Sequence, residues 1–211
     1  MFQKLCVSSL AVLLVSTFAG SAEAIPLTGE FSKTGIFEPF TCTAGVCVAG
    51  TLSGANAIDV TTTTGTPSPG VAGPITAGSA TGSFALGGLD LNGDVGSMLD
   101  FSFAGTGSAQ FPLAPIASFE VYPNLVFNLA TLSVVSQSAL VLVLSGTGTF
   151  VAPGFDPTPG NFIFTGQTAG GSSFSFSASQ STTAVPDAGS TLTLLGAALV
   201  AVAAAQRRFS A

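Results

Sequence analysis

Histidine and tryptophan are absent from the sequence, tyrosine occurs once, and charged residues make up only 7% of the chain. Without histidine, neither a Ser-His-Asp triad nor a Cys-His pair can form, which excludes the commonest arrangements for nucleophilic catalysis. With Tyr122 as the only aromatic residue besides phenylalanine, the chain also offers few platforms for stacking on sugar rings. We therefore predict that the protein is not an enzyme.

Basic residues are scarcer than acidic ones: four lysines and arginines face ten aspartates and glutamates, which gives a net charge of −6. Between residues 25 and 184, Lys33 is the only basic residue. Such a chain lacks the positive surface that binding to phosphate groups requires, so we predict no nucleic-acid partner. Its solubility must rest on serine, threonine, glycine and asparagine more than on charge.

Residues 1–24 have the pattern of a secretory signal peptide. A lysine precedes the apolar stretch 5–18, and Ala22 and Ala24 form the small-residue pattern that signal peptidase cleaves. Cleavage there gives a mature chain that begins at Ile25. We therefore expect the Sec translocon and signal peptidase to handle the chain during export. An uncleaved anchor is the alternative, which the small-residue pattern disfavours.

The C-terminal segment, residues 185–211, consists of a polar motif at 185–191, a predicted apolar helix at 191–205 and a basic tail at 206–211. The motif and the tail contain Val185, Pro186, Asp187, Gly189, Ser190, Arg207 and Arg208. The helix would be about 22 Å long, which is short for a span, and the arginine pair favours a cytoplasmic C-terminus. We predict a transmembrane helix; a buried terminal helix of a soluble domain is the alternative.

This order of motif, apolar helix and arginine pair resembles the PEP-CTERM class of bacterial sorting signals, most closely its VPDSG variant. Ala188 departs from that variant, which has serine there. The resemblance implies recognition by an exosortase, a membrane-embedded cysteine peptidase or transpeptidase, after transient anchoring in the inner membrane. It also implies delivery to the cell surface or the extracellular space, and a link to exopolysaccharide and biofilm.

Residues 25–184 are long enough for one domain with a real core, and their pattern is that of β-structure. Residues 174–179 alternate between apolar and polar, as a half-buried strand does. The continuous apolar run 140–144 suits a central strand covered on both faces. Residues 61–78 are of low complexity and are predicted to form a long surface loop. We predict an all-β fold, a single antiparallel β-sandwich of jelly-roll-like type.

Cys42 and Cys47 are the two cysteines outside the predicted signal peptide. In an oxidising compartment such a pair favours a disulfide, and this short loop would pin a local turn. A metal or redox pair is the alternative reading. Zinc is disfavoured because the chain has no histidine and no second cysteine pair.

Asp90, Asn92 and Asp94 form the only dense group of acidic and amide side chains, and alternating oxygen ligands of this kind suit Ca²⁺. The group is not an EF-hand, because Val95 and Phe101 replace the glycine and glutamate of that loop. A hairpin turn at Asn92 explains the same residues. No cofactor is predicted, and calcium is the one metal that these residues could bind.

Three functions remain open on this reading. The first is a non-catalytic structural protein of the cell surface or extracellular matrix, associated with exopolysaccharide. The second is a carbohydrate- or calcium-binding adhesin on the same sandwich. The third is a β-sandwich polysaccharide hydrolase with a pair of carboxylates, which sequence spacing neither supports nor excludes because such pairs come from separate strands.

Overall fold

A computed structural model describes residues 25–63, 65–86, 89–168, 174–182 and 196–199. The strands are β1 (Ile25–Pro26), β2 (Glu30–Thr43), β3 (Val46–Ala49), β4 (Ala57–Thr61), β5 (Gly73–Ala80), β6 (Val95–Met98), β7 (Phe101–Ser102), β8 (Ile116–Tyr122), β9 (Leu125–Gln137), β10 (Val141–Val151), β11 (Phe155–Asp156), β12 (Thr158–Thr168) and β13 (Phe174–Thr182). A short 3-10 helix spans Gly82–Ala85.

Eight of these strands form one antiparallel sheet that closes on itself. Their order is β2, β5, β6, β8, β9, β10, β12 and β13, and β13 then pairs with β2. Each strand therefore lies beside its predecessor in the chain, if the short strands outside the ring are left aside. The predicted all-β, antiparallel fold is confirmed. The connections differ from the predicted jelly roll, because neighbours in the ring follow one another along the chain instead of crossing over.

The short strands extend the ring at its borders. β3 pairs with the end of β2, β4 pairs with β2 at Ile36–Phe40, and β7 continues from β4. β1 and β11 form a separate parallel pair at Ile25 and Pro26. β2 is therefore the organising strand, since it contacts β13 and β5 in its first half and β3 and β4 in its second.

The inner face of the ring is filled mainly by phenylalanine. Because side chains alternate with period two along a strand, every second side chain points inward, where the phenyl groups contact one another. Phe150 on β10 illustrates the packing: its ring centroid lies 4.8 Å from that of Phe127 and 5.1 Å from that of Phe84. The fully buried phenylalanines of this core are Phe31, Phe37, Phe84, Phe101, Phe119, Phe127, Phe150, Phe162 and Phe164.

Glycine supplies the space for these rings at positions on neighbouring strands. A Cβ atom at Gly148 would lie 2.8 Å from Cε2 of Phe127, closer than carbon atoms can approach. A Cβ at Gly160 would lie 2.8 Å from Cδ2 of Phe150. The glycines of β10 and β12 therefore serve close packing in the strands, in addition to the turns where glycine is usually expected.

Two local expectations are wrong. Residues 141–144 of the run begin strand β10, but the strand is covered on one face only: Leu142 and Leu144 are buried, whereas Val141 is 36% exposed. A closed sheet has one inner face, so the outward residues of this run face solvent. The predicted loop 61–78 is also too long, because its last part is strand β5, which begins at Gly73.

Replacing Phe150 by alanine tests the packed interior. We expect Phe150→Ala to lower the free energy of unfolding by about 3–5 kcal/mol, because it leaves a cavity among three aromatic neighbours. Urea unfolding of the purified protein measures this change. Val135→Ala is the control: Val135 is 63% exposed, and its truncation should change stability by less than about 0.5 kcal/mol. Equal effects of the two substitutions would contradict the assignment of the inner face.

Candidate functional site

The polar feature deepest in the ring is an ion pair between Lys33 on β2 and Glu120 on β8. The two side chains are 0% and 1% exposed, although they are 87 residues apart in the sequence. Lys33 is two residues from the buried Phe31 on the same strand, so strand alternation alone directs both inward. The only basic residue between positions 25 and 184 therefore lies inside the protein.

Two phenylalanine rings flank the ammonium group of Lys33. Its Nζ lies 5.3 Å from the ring centroid of Phe31 and 5.0 Å from that of Phe162, within the range of cation–π attraction. Burial lowers the pKa of Lys33 to about 8, although the neighbouring Glu120 carboxylate acts in the opposite direction. Burial likewise raises the pKa of Glu120, against the opposing influence of Lys33. Both shifts favour the neutral forms of the pair.

Gln180 on β13 completes this group, and Lys33, Glu120 and Gln180 are called the core triad below. Gln180 is 1% exposed and lies close enough to Glu120 to lower the pKa of that carboxyl group. No hydrogen bond of regular geometry reaches the Gln180 amide or Glu120 Oε1 from the described residues. Such unpaired buried groups are costly, so the core triad requires an explanation beyond packing.

A second group of carboxylates holds the loop between β4 and β5, and is called the acid cluster: Glu38, Asp59 and Asp100. Glu38 accepts a hydrogen bond from the backbone N–H of Gly65 at 2.5 Å, and Asp59 accepts one from Ser68 at 2.6 Å. Asp100 accepts from Gly70 at 2.6 Å and from Val60 at 2.9 Å. The cluster therefore anchors three points of the loop to the edge of the sheet.

Within the acid cluster, Asp59 and Asp100 are both buried, and each affects the pKa of the other. Burial raises the pKa of Asp100 to about 7, and its two backbone hydrogen bonds oppose the rise only in part. Burial also raises the pKa of Asp59, while the hydrogen bond from the backbone N–H of Ser68 opposes the rise. Both shifts favour the protonated forms of these carboxyl groups.

The residues predicted to bind calcium form a turn between β5 and β6. Asn92 Nδ2 donates to Asp90 Oδ1 at 2.8 Å, and Asn92 Oδ1 accepts from the backbone N–H of Ala80 at 3.0 Å. Gly93 has a positive φ of 82°, as the turn requires. Within the described part of the chain, no three acidic or cysteine side chains converge as a metal site. Calcium binding by Asp90, Asn92 and Asp94 stays a prediction.

Cys42 and Cys47 lie opposite one another in the hairpin of β2 and β3, where a disulfide joins them as predicted. Ala44 and Gly45 form the turn, with positive φ angles of 50° and 83°. The bond closes the hairpin at the end of β2. Asn56 supports the same strand end, because its side chain exchanges two hydrogen bonds with the backbone of Cys42.

The predicted signals at the two ends lie largely outside the described residues. This holds for residues 1–24, which include Ala22 and Ala24, for the motif residues from Val185 to Ser190 and for the arginine pair at 207 and 208. Of the predicted helix 191–205, the structure describes residues 196–199, which are helical. No helix among the described residues is both long and apolar enough to span a membrane.

Sequence reasoning missed the core triad. It noted Lys33 as the only basic residue of the domain, yet assigned it no place. The available signal was its position two residues after Phe31 in a β-pattern, which puts the lysine on the apolar face. No pattern in the sequence indicated Glu120 or Gln180 as its partners, because these contacts depend on how the sheet closes.

Comparison with known proteins gives one finding. Residues 184–209 match the family model described as the VPDSG-CTERM motif, a variant of the PEP-CTERM sorting signals on which exosortases act. The chain therefore carries this sorting signal, as its tripartite C-terminal order indicated, despite Ala188. The motif implies export and C-terminal sorting to the cell surface. No curated protein and no solved structure matches the chain.

The acid cluster makes stability depend on pH in a defined direction. The pKa of Asp100 is about 7 in the folded protein, against an ordinary value of 3.8, so the folded state binds more protons between these values. Ionisation of Asp100, which is buried next to Asp59, should therefore destabilise the fold as pH rises from about 4 to 7. For one group the slope is at most about 1.4 kcal/mol per pH unit.

Urea unfolding at several pH values, with Asp100→Asn beside the wild type, measures this contribution. The amide does not titrate, so we expect the variant to have a shallower decline between pH 4 and 7. Asp156→Asn is the matched control, because Asp156 is exposed on β11 and should leave the slope unchanged. Identical slopes for Asp100→Asn and the wild type would contradict the assigned protonation of Asp100.

Proposed function

We propose that the protein is exported, processed by an exosortase and delivered to the cell surface or extracellular matrix, where its β-domain has a structural, non-catalytic role. The sorting motif at residues 184–209 is the observation that carries this proposal. In the proposed route, a C-terminal helix holds the chain briefly in the inner membrane, and processing then separates the domain from it. The domain would serve in association with exopolysaccharide.

The placement of the acidic residues supports a non-catalytic role. A hydrolase of the two-carboxylate type needs both groups at a cleft that admits a sugar chain. Asp59 and Asp100 are 0% and 2% exposed, and their oxygens accept backbone hydrogen bonds from Ser68 and Gly70 of the loop and from Val60 of β4. Glu120 is enclosed in the ring. These carboxylates hold the fold together instead of facing a substrate.

The open cavities support the same conclusion. The larger one, of about 570 Å³, is lined by Ile25, Ser83, Leu86, Leu89, Asn124, Pro153 and Phe155. A smaller one of about 290 Å³ lies between the segment after β7 and the middle of β9. Among the described residues that line these two cavities there is no carboxylate, cysteine or lysine. Both are predominantly apolar surfaces without an evident catalytic group.

Substitution of the motif aspartate tests the sorting route. We expect Asp187→Ala to abolish C-terminal processing, so that a chain retaining residues 207–211 accumulates in the membrane fraction. Intact mass of the protein from cells and from culture medium, measured separately, distinguishes the processed and unprocessed forms. Asp156→Ala is the matched control, since it removes an exposed aspartate from the domain and should be processed like the wild type.

Normal trimming and release of the Asp187→Ala chain would overturn the sorting proposal. The structural role is tested separately, by incubating the purified processed domain with a panel of polysaccharides and measuring release of reducing ends. We expect no release above a heat-denatured control. Turnover that disappears in Asp100→Asn but persists in Asp156→Asn would instead show a hydrolase that uses the acid cluster.

A further inference from the structure

The core triad places an amine, a carboxyl group and a carboxamide together in a space that water does not reach. Lys33 Nζ contacts Glu120 Oε2 directly, and Gln180 lies beside the same carboxyl group. The three side chains are at most 1% exposed. These are the three groups that an amide exchange requires: a nucleophile, a proton carrier and an acyl donor.

Strand register brings the amine and the carboxamide to the same place. β13 pairs with β2 so that Gln180 stands opposite Phe31, and Lys33 follows Phe31 by two residues on the same inner face. Lys33 and Gln180 are therefore diagonal neighbours, about 7–8 Å apart at the backbone, within reach of long side chains. On the other side Gln180 stands opposite Phe162 of β12.

The ammonium group of Lys33 lies beside the two phenylalanines that are the strand partners of Gln180. Its Nζ is 5.3 Å from the ring centroid of Phe31 and 5.0 Å from that of Phe162, the two residues directly opposite Gln180. The pair of rings thus flanks both reactants. Glu120 reaches this point from β8, which is not a neighbour of β2 or β13 in the ring.

We propose that Lys33 and Gln180 form an intramolecular amide cross-link, in which Nζ of Lys33 becomes bonded to Cδ of Gln180, ammonia is released and Glu120 carries the protons. The cross-link would join the first and last strands of the closed sheet covalently. This inference goes beyond the proposed function, and its chemistry depends neither on the sorting signal nor on a partner.

The reaction balances with the groups present. Lys33 gives one ammonium proton to the Glu120 carboxylate, which leaves a neutral amine and a neutral acid. The lone pair on Nζ attacks Cδ of Gln180 and forms a tetrahedral centre. Glu120 then protonates the departing amide nitrogen and accepts a proton from Nζ. The C–N bond to the departing nitrogen breaks, and the products are a secondary amide, one ammonia and protonated Glu120.

The surroundings favour the reacting forms. A lysine in water is almost wholly protonated and is not a nucleophile at neutral pH, whereas burial lowers the pKa of Lys33 to about 8. Burial also raises the pKa of Glu120, so proton transfer from the amine to the acid costs less than in water. The exchange converts one amide into another and requires no oxidant or activated intermediate.

Cross-linking would also remove the unpaired groups of the core triad. The buried ammonium charge disappears, and the two polar atoms of Gln180 become one carbonyl oxygen and one N–H of the new amide. Protonated Glu120 can then donate a hydrogen bond to that carbonyl. Glu120 Oε1 and the Gln180 amide have no hydrogen-bond partner among the described residues, and the new amide and the protonated acid would give this group a donor and an acceptor that match.

Peptide mass spectrometry of the full-length protein tests the proposal. After reduction of the disulfide, chymotrypsin cleaves beside Phe31 and Phe176 and yields one peptide with Lys33 and another with Gln180. We expect these peptides to be recovered joined, with a mass equal to their sum less one ammonia. Localisation by fragmentation separates this loss from ammonia losses elsewhere in the chain.

Gln180→Met is the decisive variant, because it removes the acyl donor and leaves the Lys33–Glu120 ion pair in place. It should show no joined peptide and no ammonia loss at this site. Glu120→Gln should slow the reaction by about a hundredfold or more, as expected for loss of a general acid–base group. Should that variant fail to fold, Gln180→Met and the wild type still decide the question.

Two results would overturn the proposal. Separate, unmodified peptides from folded wild-type protein would leave the core triad as an ion pair with a neighbouring amide. If the Lys33 peptide is instead joined to the peptide that contains Glu120, with the loss of one water, the amide lies between Lys33 and Glu120. Gln180 then takes no part in the reaction. Neither result bears on sorting, which Asp187→Ala tests through the position of the C-terminus, so the two proposals fail independently.

Discussion

The pairing of β13 with β2 is the contact on which the rest of the sheet depends. It joins residues 175–181 to residues 30–36, and it alone connects the last strand of the ring to the first. Without it, two strands would present unpaired backbone groups, which favours association with other chains. With it, the sheet has one enclosed face, and the chain must fill that face with side chains. The phenylalanines and the glycines beside them meet this requirement.

Closure also explains where the few charges of the domain lie. A chain with so little charge would be expected to keep every charged group in water, where hydration favours it. Here Lys33 and Glu120 lie inside the ring, and the acid cluster is largely enclosed beneath a loop. Desolvation of a buried ion pair can exceed the attraction within it. The buried charged groups of this domain therefore connect particular segments: β2 to β8, and the loop before β5 to the edge of the sheet. Serine and threonine supply much of the polar exterior.

The sequence was sufficient for the properties that depend on short-range pattern. Alternation located the strand at 174–179, and the close cysteine spacing predicted a pinned local turn. It was insufficient where the outcome depends on the partner strand. The run 140–144 has the composition of a doubly covered strand, yet only Leu142 and Leu144 face inward, because the ring has no second layer outside it. The contact between Lys33 and Glu120 spans 87 residues and depends on the order of the strands.

The position of the last strand also limits how far the sorting motif lies from the domain. β13 ends at Thr182, and the sorting motif begins at Val185, a distance of at most about 10 Å in an extended chain. Thr182 exchanges hydrogen bonds with Gly29, so the start and the end of the domain share one pole. β2 runs from that pole for 14 residues, at most about 45 Å, to the disulfide hairpin. The hairpin at Ala44 and Gly45 therefore lies at the opposite end of β2 from Thr182, the residue at which the domain leads into the sorting signal.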